Sequence, residues 1–245
     1  RIYGIYHLND VLTLKGGIST GYKQPTISQI SEGFGSRTGK GSAVIIGNPD
    51  LSPEKSTSYE LGFNFSDPEL GLTSSLMVFK SDFKDKIVEN RLCETPGTTN
   101  SSPVQDWKCS ANGNPYRFVS QMMNVSDAEM KGIEFTLDYD LMDNLSASTS
   151  YTYTKSEQKS GEFKGQPLNK MPKHMLNMGL DYDVSDTWNT WMDYNYRGKT
   201  SDYLSRTSMG SGTPAYGTFD AGAVFKASEK LTTRFTEPII KVHSK

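Results

Sequence analysis

Apolar and polar residues alternate with a period of two over long stretches of this chain, the pattern of strands with one apolar and one polar face. Segment 56–66 places Tyr59, Leu61, Phe63 and Phe65 on one face and Ser58, Glu60, Gly62, Asn64 and Ser66 on the other. Segment 130–141 sets Ile133, Phe135, Leu137 and Tyr139 against Gly132, Glu134, Thr136 and Asp138. In 145–154 an unbroken row of Ser146, Ser148, Ser150, Thr152 and Thr154 opposes Leu145, Ala147, Thr149, Tyr151 and Tyr153. Segments 11–22, 174–183, 188–197 and 216–226 alternate in the same way, and 1–8, 72–84 and 231–236 do so more weakly. The pattern predicts ten strands.

The connections alternate between short and long. Short ones fall at Asn9-Asp10, Asp67 to Gly71, Asp140 to Asn144, Val184 to Thr187 and Ala227 to Lys230; long ones occupy 23–55, 90–127, 158–173 and 198–214. In an antiparallel meander, successive connections emerge at opposite ends, so tight turns lie on one side and long loops on the other. Strands of roughly ten residues joined in this way predict an all-β, antiparallel transmembrane β-barrel of the outer-membrane type. Aromatic residues agree. On the apolar face Phe65, Tyr139, Tyr182 and Trp188 fall at the turn end, and Tyr22, Tyr59, Tyr151, Tyr153, Tyr194 and Tyr196 toward the loop end. Aliphatic residues such as Leu61, Leu137, Met178 and Leu180 lie between, as between two interfacial girdles. A soluble β-sandwich would also alternate, but its core favours Val, Ile and Leu, and it does not call for a Ser/Thr ladder on the opposite face.

Composition then takes on a specific meaning. Only 35 % of the 245 residues are hydrophobic, meagre for a conventional core but natural where half of each strand faces a wet lumen. No purely apolar run is longer than Ala43 to Ile46, far short of the roughly 20 residues of a membrane-spanning helix. A net charge of −2 argues against a nucleic-acid partner, which needs a basic surface. That charge is unevenly spread: segments 23–48, 90–120, 158–173 and 197–213 carry 13 Lys+Arg and 5 Asp+Glu, leaving the remainder acidic. A basic loop side would attract an anionic solute, and anionic outer-leaflet lipopolysaccharide would favour it too. Arg1 opens directly into an alternating segment without a leader, which reads as an excerpt of something longer.

Cys93 and Cys109, 16 positions apart in one long loop, lack the neighbours of a zinc site. They read as an intraloop disulfide in an oxidising compartment, with two free thiols as the alternative. His7, His174 and His243 share no ligand spacing, and His174 at a strand rim reads as a structural hydrogen-bonding group. No catalytic or metal-binding motif is present. The glycine-rich stretch 33–47 reads as a mobile loop.

Several segments resemble the C-terminal half of TonB-dependent outer-membrane receptors: Gly21-Tyr22-Lys23-Gln24-Pro25-Thr26, then Gly47-Asn48-Pro49-Asp50-Leu51-Ser52-Pro53-Glu54-Lys55-Ser56-Thr57-Ser58-Tyr59-Glu60-Leu61-Gly62, Asn124-Val125 with Gly132-Ile133-Glu134, and Pro167-Leu168 with Pro172-Lys173-His174. They occur in family order from Arg1 to about Phe235, and are most similar to the catecholate siderophore branch of the ferric enterobactin and colicin I receptors. Vitamin B12, haem and hydroxamate receptors share these signatures. The resemblance implies about ten strands of a barrel of about 22, in the bacterial outer membrane, with a plug domain in the lumen. It implies active uptake of a ferric siderophore, with TonB as energy-coupling partner through a region absent here, colicins or phage as further partners, and no cofactor, since iron is carried only as substrate. Candidate ligand contacts are Arg37, Lys40, Arg91, Tyr116, Arg117, Tyr203 and Arg206: cations would pair with the anionic chelate and Tyr would stack on catechol rings. Glu60, Gly62, Gly132 and Glu134, on the lumen parity, are candidate structural or plug-contact residues. Residues 1–235 form the barrel part; 236–245, with Glu237-Pro238, depart from the family and read as a truncated or frame-shifted tail.

Two readings of another class stand beside this one: a self-contained ten-stranded barrel acting as a protease-like enzyme, or a passive porin. The mouth offers His174 but no convincing acidic partners for it, and a plug encoded upstream would decide for the receptor. Ten strands of a larger barrel would leave two unpaired edges and should not insert alone.

Overall fold

The computed structural model describes residues 1–32, 35–161, 163–168, 170–200, 203–204, 209–228 and 231–243. Side chains are described at all of these except 125–126, 203–204, 209–210 and 237–243. Ten strands form one antiparallel meander: β1 (Ile2–His7), β2 (Leu12–Lys23), β3 (Glu54–Asp67), β4 (Leu72–Glu94), β5 (Phe118–Met142), β6 (Leu145–Gln158), β7 (His174–Ser185), β8 (Trp188–Arg197), β9 (Tyr216–Ser228) and β10 (Leu231–His243). Each pairs with its sequence neighbours, and among the described residues β1 and β10 do not pair with each other. The sheet is therefore an arc with two edges, not a closed ten-stranded barrel. Among the described residues no helix is long and apolar enough to cross a membrane.

Register carries the alternation across strands. Leu14, Phe63, Leu76, Phe135, Tyr151, Leu176 and Tyr196 follow one another on a single rung, and Gly16, Leu61, Val78, Ile133, Tyr153 and His174 form the next. These rungs build the outward band. On the opposite face Asn64, Ser75, Thr136, Ser150, Asn177, Asn195 and Thr218 align. Their side chains are linked by Ser75–Thr136 at 2.7 Å and Asn177 donating to Ser150 at 3.0 Å. This is a water-facing ladder. His174 has a structural role: its Nδ1 is 2.8 Å from the Tyr151 hydroxyl, and its ring centroid is 5.1 Å from that of Tyr153.

The short turns are fixed by side-chain acceptors, as expected of Asx and Ser turns. Asn9 Oδ1 accepts the Val11 and Leu12 amides, Asp67 Oδ1 those of Glu69 and Leu70, and Ser185 Oγ those of Thr187 and Trp188. Gly71 has φ +59° and lies against Asp140, so the turn between β3 and β4 needs a residue without a side chain.

The loop side differs from expectation in three respects. The predicted loop 90–127 is shorter, because β4 and β5 continue as a 23- and 25-residue pair beyond the apolar band. Register shifts between Phe83 and Lys86, and again near Arg91, absorb the added twist. Second, 33–47 is not a mobile loop throughout: Ser36–Thr38 and Ala43–Ile46 pair around a turn at Gly39–Gly41. The β-branched run Val44-Ile45-Ile46 suits a strand, and Gly39 and Gly41 supply the left-handed φ of the turn. Third, residues 236–243 extend β10 as an edge strand, and 244–245 of the expected tail lie outside the described residues. Glu237 pairs with Ala221 and Ile240 with Phe219, so the register slips around Pro238, where an edge tolerates a missing donor.

Candidate functional site

Two long connections fuse into one body at the loop end. Ala43–Ile46 runs parallel to Phe118–Gln121 and hydrogen-bonds to it, which buries Val44, Tyr116 and Val119 around Cys109. The Cys93–Cys109 disulfide is formed, with a Cα–Cα distance of 5.8 Å. Polar contacts close the seam: the Arg117 amide donates to the Ser42 carbonyl at 2.7 Å, the Thr95 amide to the Arg117 carbonyl at 2.8 Å, and Ser42 Oγ to Asn100 Oδ1 at 3.1 Å.

The segment descending from this body is pinned by two side chains. Asn124 Oδ1 accepts the Ser52 amide while its Nδ2 donates to the carbonyls of Ser52 (2.9 Å) and Asp85 (2.6 Å). Glu54 accepts the Ile87 amide at 2.9 Å and pairs with Lys23 at 3.4 Å. Pro49 and Pro53 restrict the chain between these anchors.

Of the candidate ligand contacts, Arg37, Lys40, Arg91, Tyr116 and Arg117 are brought together by this body. Arg37 and Lys40 are exposed on the hairpin, with Lys40 at the turn. Arg91 and Arg117 flank one ring: their guanidinium carbons lie 3.4 and 4.8 Å from the Phe118 centroid, and both cations reach Glu94 at 3.8 and 3.6 Å. Their side chains are only 13 % and 17 % exposed. Tyr116 is 7 % exposed and packs in the core with Cys109, so its ring serves packing and is not available for stacking on a ligand. The backbone of Tyr203 pairs with Gly210, its side chain is not described, and Arg206 lies outside the described residues. Sequence reasoning missed Phe118 and Glu94. The signal was there in the Arg117-Phe118 dipeptide and in an acid three residues from Arg91 within a basic loop.

A second recess of about 660 Å³ opens on the upper lumen between β7, β8 and β9, lined by Met175, Asn177, Asn195, Arg197, Tyr216 and Thr218. Its cation, Arg197, counted toward the basic loop side but was not singled out.

The plug-contact candidates lie on two adjacent lumen rungs, Glu60-Phe79-Gly132 and Gly62-Met77-Glu134. The space above each glycine is filled from β4. A Cβ at Gly132 would meet the Phe79 ring and the Tyr153 carbonyl, and one at Gly62 the Met77 side chain and the Leu76 carbonyl. Among the described residues no group of His, Cys, Asp and Glu could hold a metal ion.

Residues 1–236 match the family described as TonB dependent receptor-like, beta-barrel. Similar proteins include an iron-regulated outer membrane virulence protein of Vibrio cholerae, 36 % identical over 235 residues (96 % of this chain and 34 % of that protein). The ferric enterobactin receptor PirA of Pseudomonas aeruginosa is 27 % identical over 246 residues (93 % of this chain, 30 % of that protein). Among solved structures, the siderophore receptor PirA of Acinetobacter baumannii superposes with a TM-score of 0.69 at 24 % identity, covering 94 % of this chain and 35 % of that one. A ferric enterobactin receptor variant from Pseudomonas aeruginosa, in complex with enterobactin, gives 0.71 at 22 % (95 % and 33 % covered). These structural likenesses establish the fold. The chain spans about a third of the length of the curated relatives it matches.

Proposed function

Because this chain belongs to the TonB-dependent receptor β-barrel family, we propose that it forms the C-terminal barrel part of a receptor that captures a ferric siderophore at its loop side and imports it with energy from TonB. It is part of an outer-membrane β-barrel, and its family is one of receptors and not of enzymes. The observation that carries the reading is the fused loop body, where Arg37 and Lys40 stand exposed beside the Arg91–Phe118–Arg117 stack. A ferric tris-catecholate is anionic and aromatic, so the exposed cations Arg37 and Lys40 provide attraction, and the buried Phe118 ring, 2 % exposed, serves to position the Arg91 and Arg117 guanidiniums beside them. Relatives named as ferric enterobactin receptors support the catecholate choice. Arg197 and Tyr216 extend the same chemistry into the upper lumen. TonB would engage a region outside these residues, and the chelate would pass without chemical change.

The test is equilibrium binding of ferric enterobactin and of a ferric hydroxamate to the full-length receptor. The double substitution Arg37→Ala/Arg117→Ala is expected to weaken catecholate binding by about tenfold or more, as for loss of two charge contacts. Undiminished binding defeats the contact assignment; preference for the hydroxamate defeats the catecholate assignment.

A further inference from the structure

The outward face above the apolar band carries charge in layers. Directly over Leu61, Val78, Ile133 and Tyr153, register places Tyr59, Lys80, Lys131 and Lys155 side by side on one rung. The next rung up reads Thr57, Asp82, Glu129 and Glu157, and above that Lys55 faces Lys84. Three lysines abreast on neighbouring strands repel one another, so such a row persists only with counter-charge. Part of it is internal: Glu129 bonds Lys131 at 3.1 Å, Lys80 at 3.3 Å and Lys159 at 3.5 Å, while Asp82 bonds Lys80 and Glu157 bonds Lys159. Glu129, two rungs above Ile133, thus anchors three of the lysines. Among the described residues Lys84 and Lys155 have no ion pair, and the side chains of Lys80, Lys131 and Lys159 stay about half exposed, at 46 %, 52 % and 39 %. The surface is left with a cationic surplus at the level of the loop-end aromatic girdle.

We propose that the rung Lys80–Lys131–Lys155, with Lys159, is a docking site for the phosphorylated headgroup of an outer-leaflet lipid. Two features select a lipid over a free anion. Leu61, Val78, Ile133 and Tyr153 lie immediately below the lysines on the same face, so a ligand with acyl chains under its phosphates matches both layers at once. The face also points away from the lumen, on the far side of the sheet from the Ser/Thr ladder, where a translocated solute does not travel. Carboxylates between the lysines hold the ammoniums at fixed spacing, and Lys155 supplies the charge that no protein group neutralises.

The experiment uses the full-length receptor in detergent and native mass spectrometry, with lipopolysaccharide, enzymatically dephosphorylated lipopolysaccharide and inorganic phosphate as probes. Lys80→Gln/Lys131→Gln/Lys155→Gln is expected to weaken lipopolysaccharide binding by at least about tenfold, since each lysine near an anionic lipid surface contributes a several-fold factor. Dephosphorylated lipid should bind the native receptor as weakly, and inorganic phosphate at matched phosphate concentration should not compete. Lys15→Gln, on the lumen face, is expected to change nothing. If the triple variant loses its heat-modifiable migration, Lys155→Gln alone provides the measurement, because it breaks no ion pair; about a fivefold loss is expected. Binding within about twofold of the native receptor in the folded variant, or equal binding of dephosphorylated lipid, overturns the proposal. Competition by inorganic phosphate would make it a free-anion site and overturns it as well.

Discussion

Asn124 holds Ser52 by both of its backbone groups, accepting the amide at 2.8 Å and donating to the carbonyl at 2.9 Å across 72 residues of chain. A third bond, from the same amide nitrogen to the Asp85 carbonyl, ties the irregular stretch of β4 into the clasp. Two segments that carry the family resemblance, Leu51-Ser52-Pro53 and Asn124-Val125, are therefore halves of one joint. It fixes where the loop body meets the barrel.

Replacing Asn124 with Ala should free the 48–54 segment without unfolding the sheet. Three hydrogen bonds at about 0.5–1.5 kcal/mol each give a local loss of about 1.5–4.5 kcal/mol. Amide exchange at Ser52 should accelerate by about tenfold or more, whereas Asn124→Asp, which keeps an acceptor for that amide, should show a smaller acceleration. Unchanged exchange in the alanine variant would mean the clasp carries no stability.

The disulfide should act locally. Closing a loop of 16 residues restricts the unfolded state by about 3 kcal/mol, and Cys109 sits at 1 % exposure in the loop core. Cys93→Ser/Cys109→Ser is therefore expected to leave heat-modifiable migration of the barrel intact while protease cleavage within 95–108 rises sharply. Resistance equal to the native protein would place the stability of that loop in its docking to Ala43–Ile46 alone.

Glu94 lies between Arg91 and Arg117 and lowers the positive field of the mouth. Removing its charge by Glu94→Gln should raise the association rate for an anionic chelate by about two- to threefold at low salt, with the gain vanishing at high salt. Stopped-flow fluorescence at two ionic strengths measures this. A rate independent of both the substitution and salt would show that the field of this cluster does not steer the ligand.

The Gly132 position tests packing inside the lumen. A Cβ there collides with the Tyr153 carbonyl and the Phe79 ring, so Gly132→Val should cost about 1–3 kcal/mol through overpacking and lower the temperature at which the barrel loses its compact migration. Pairing it with Phe79→Ala should recover part of the loss on the ring side only, because the carbonyl clash remains.

Strand number, meander order, turn positions and facing were legible because most strands repeat the same two-residue alternation and several turns carry their own acceptor, as at Asn9, Asp67 and Ser185. The disulfide was legible because Cys93 and Cys109 are the only cysteines. The fusion of the two long loops was not. Ala43–Ile46 is only four residues, and its parallel partner Phe118–Gln121 lies more than seventy positions away, so local pattern gives no warning of it. The burial of Tyr116 follows from that fusion, which is why a tyrosine chosen for a ligand proved to be core. Lys80, Lys131 and Lys155 escaped notice for a similar reason: each is an isolated charge along its own strand and becomes a row only through register.

The most direct measurement of the central claim is uptake of radioactive iron, supplied as ferric enterobactin, by cells whose only siderophore receptor is the full-length protein. The proposed function predicts accumulation that requires TonB and falls by about tenfold or more with Arg37→Ala/Arg117→Ala at unchanged surface level. Equal accumulation without TonB, or none with the native receptor in energised cells, would contradict it.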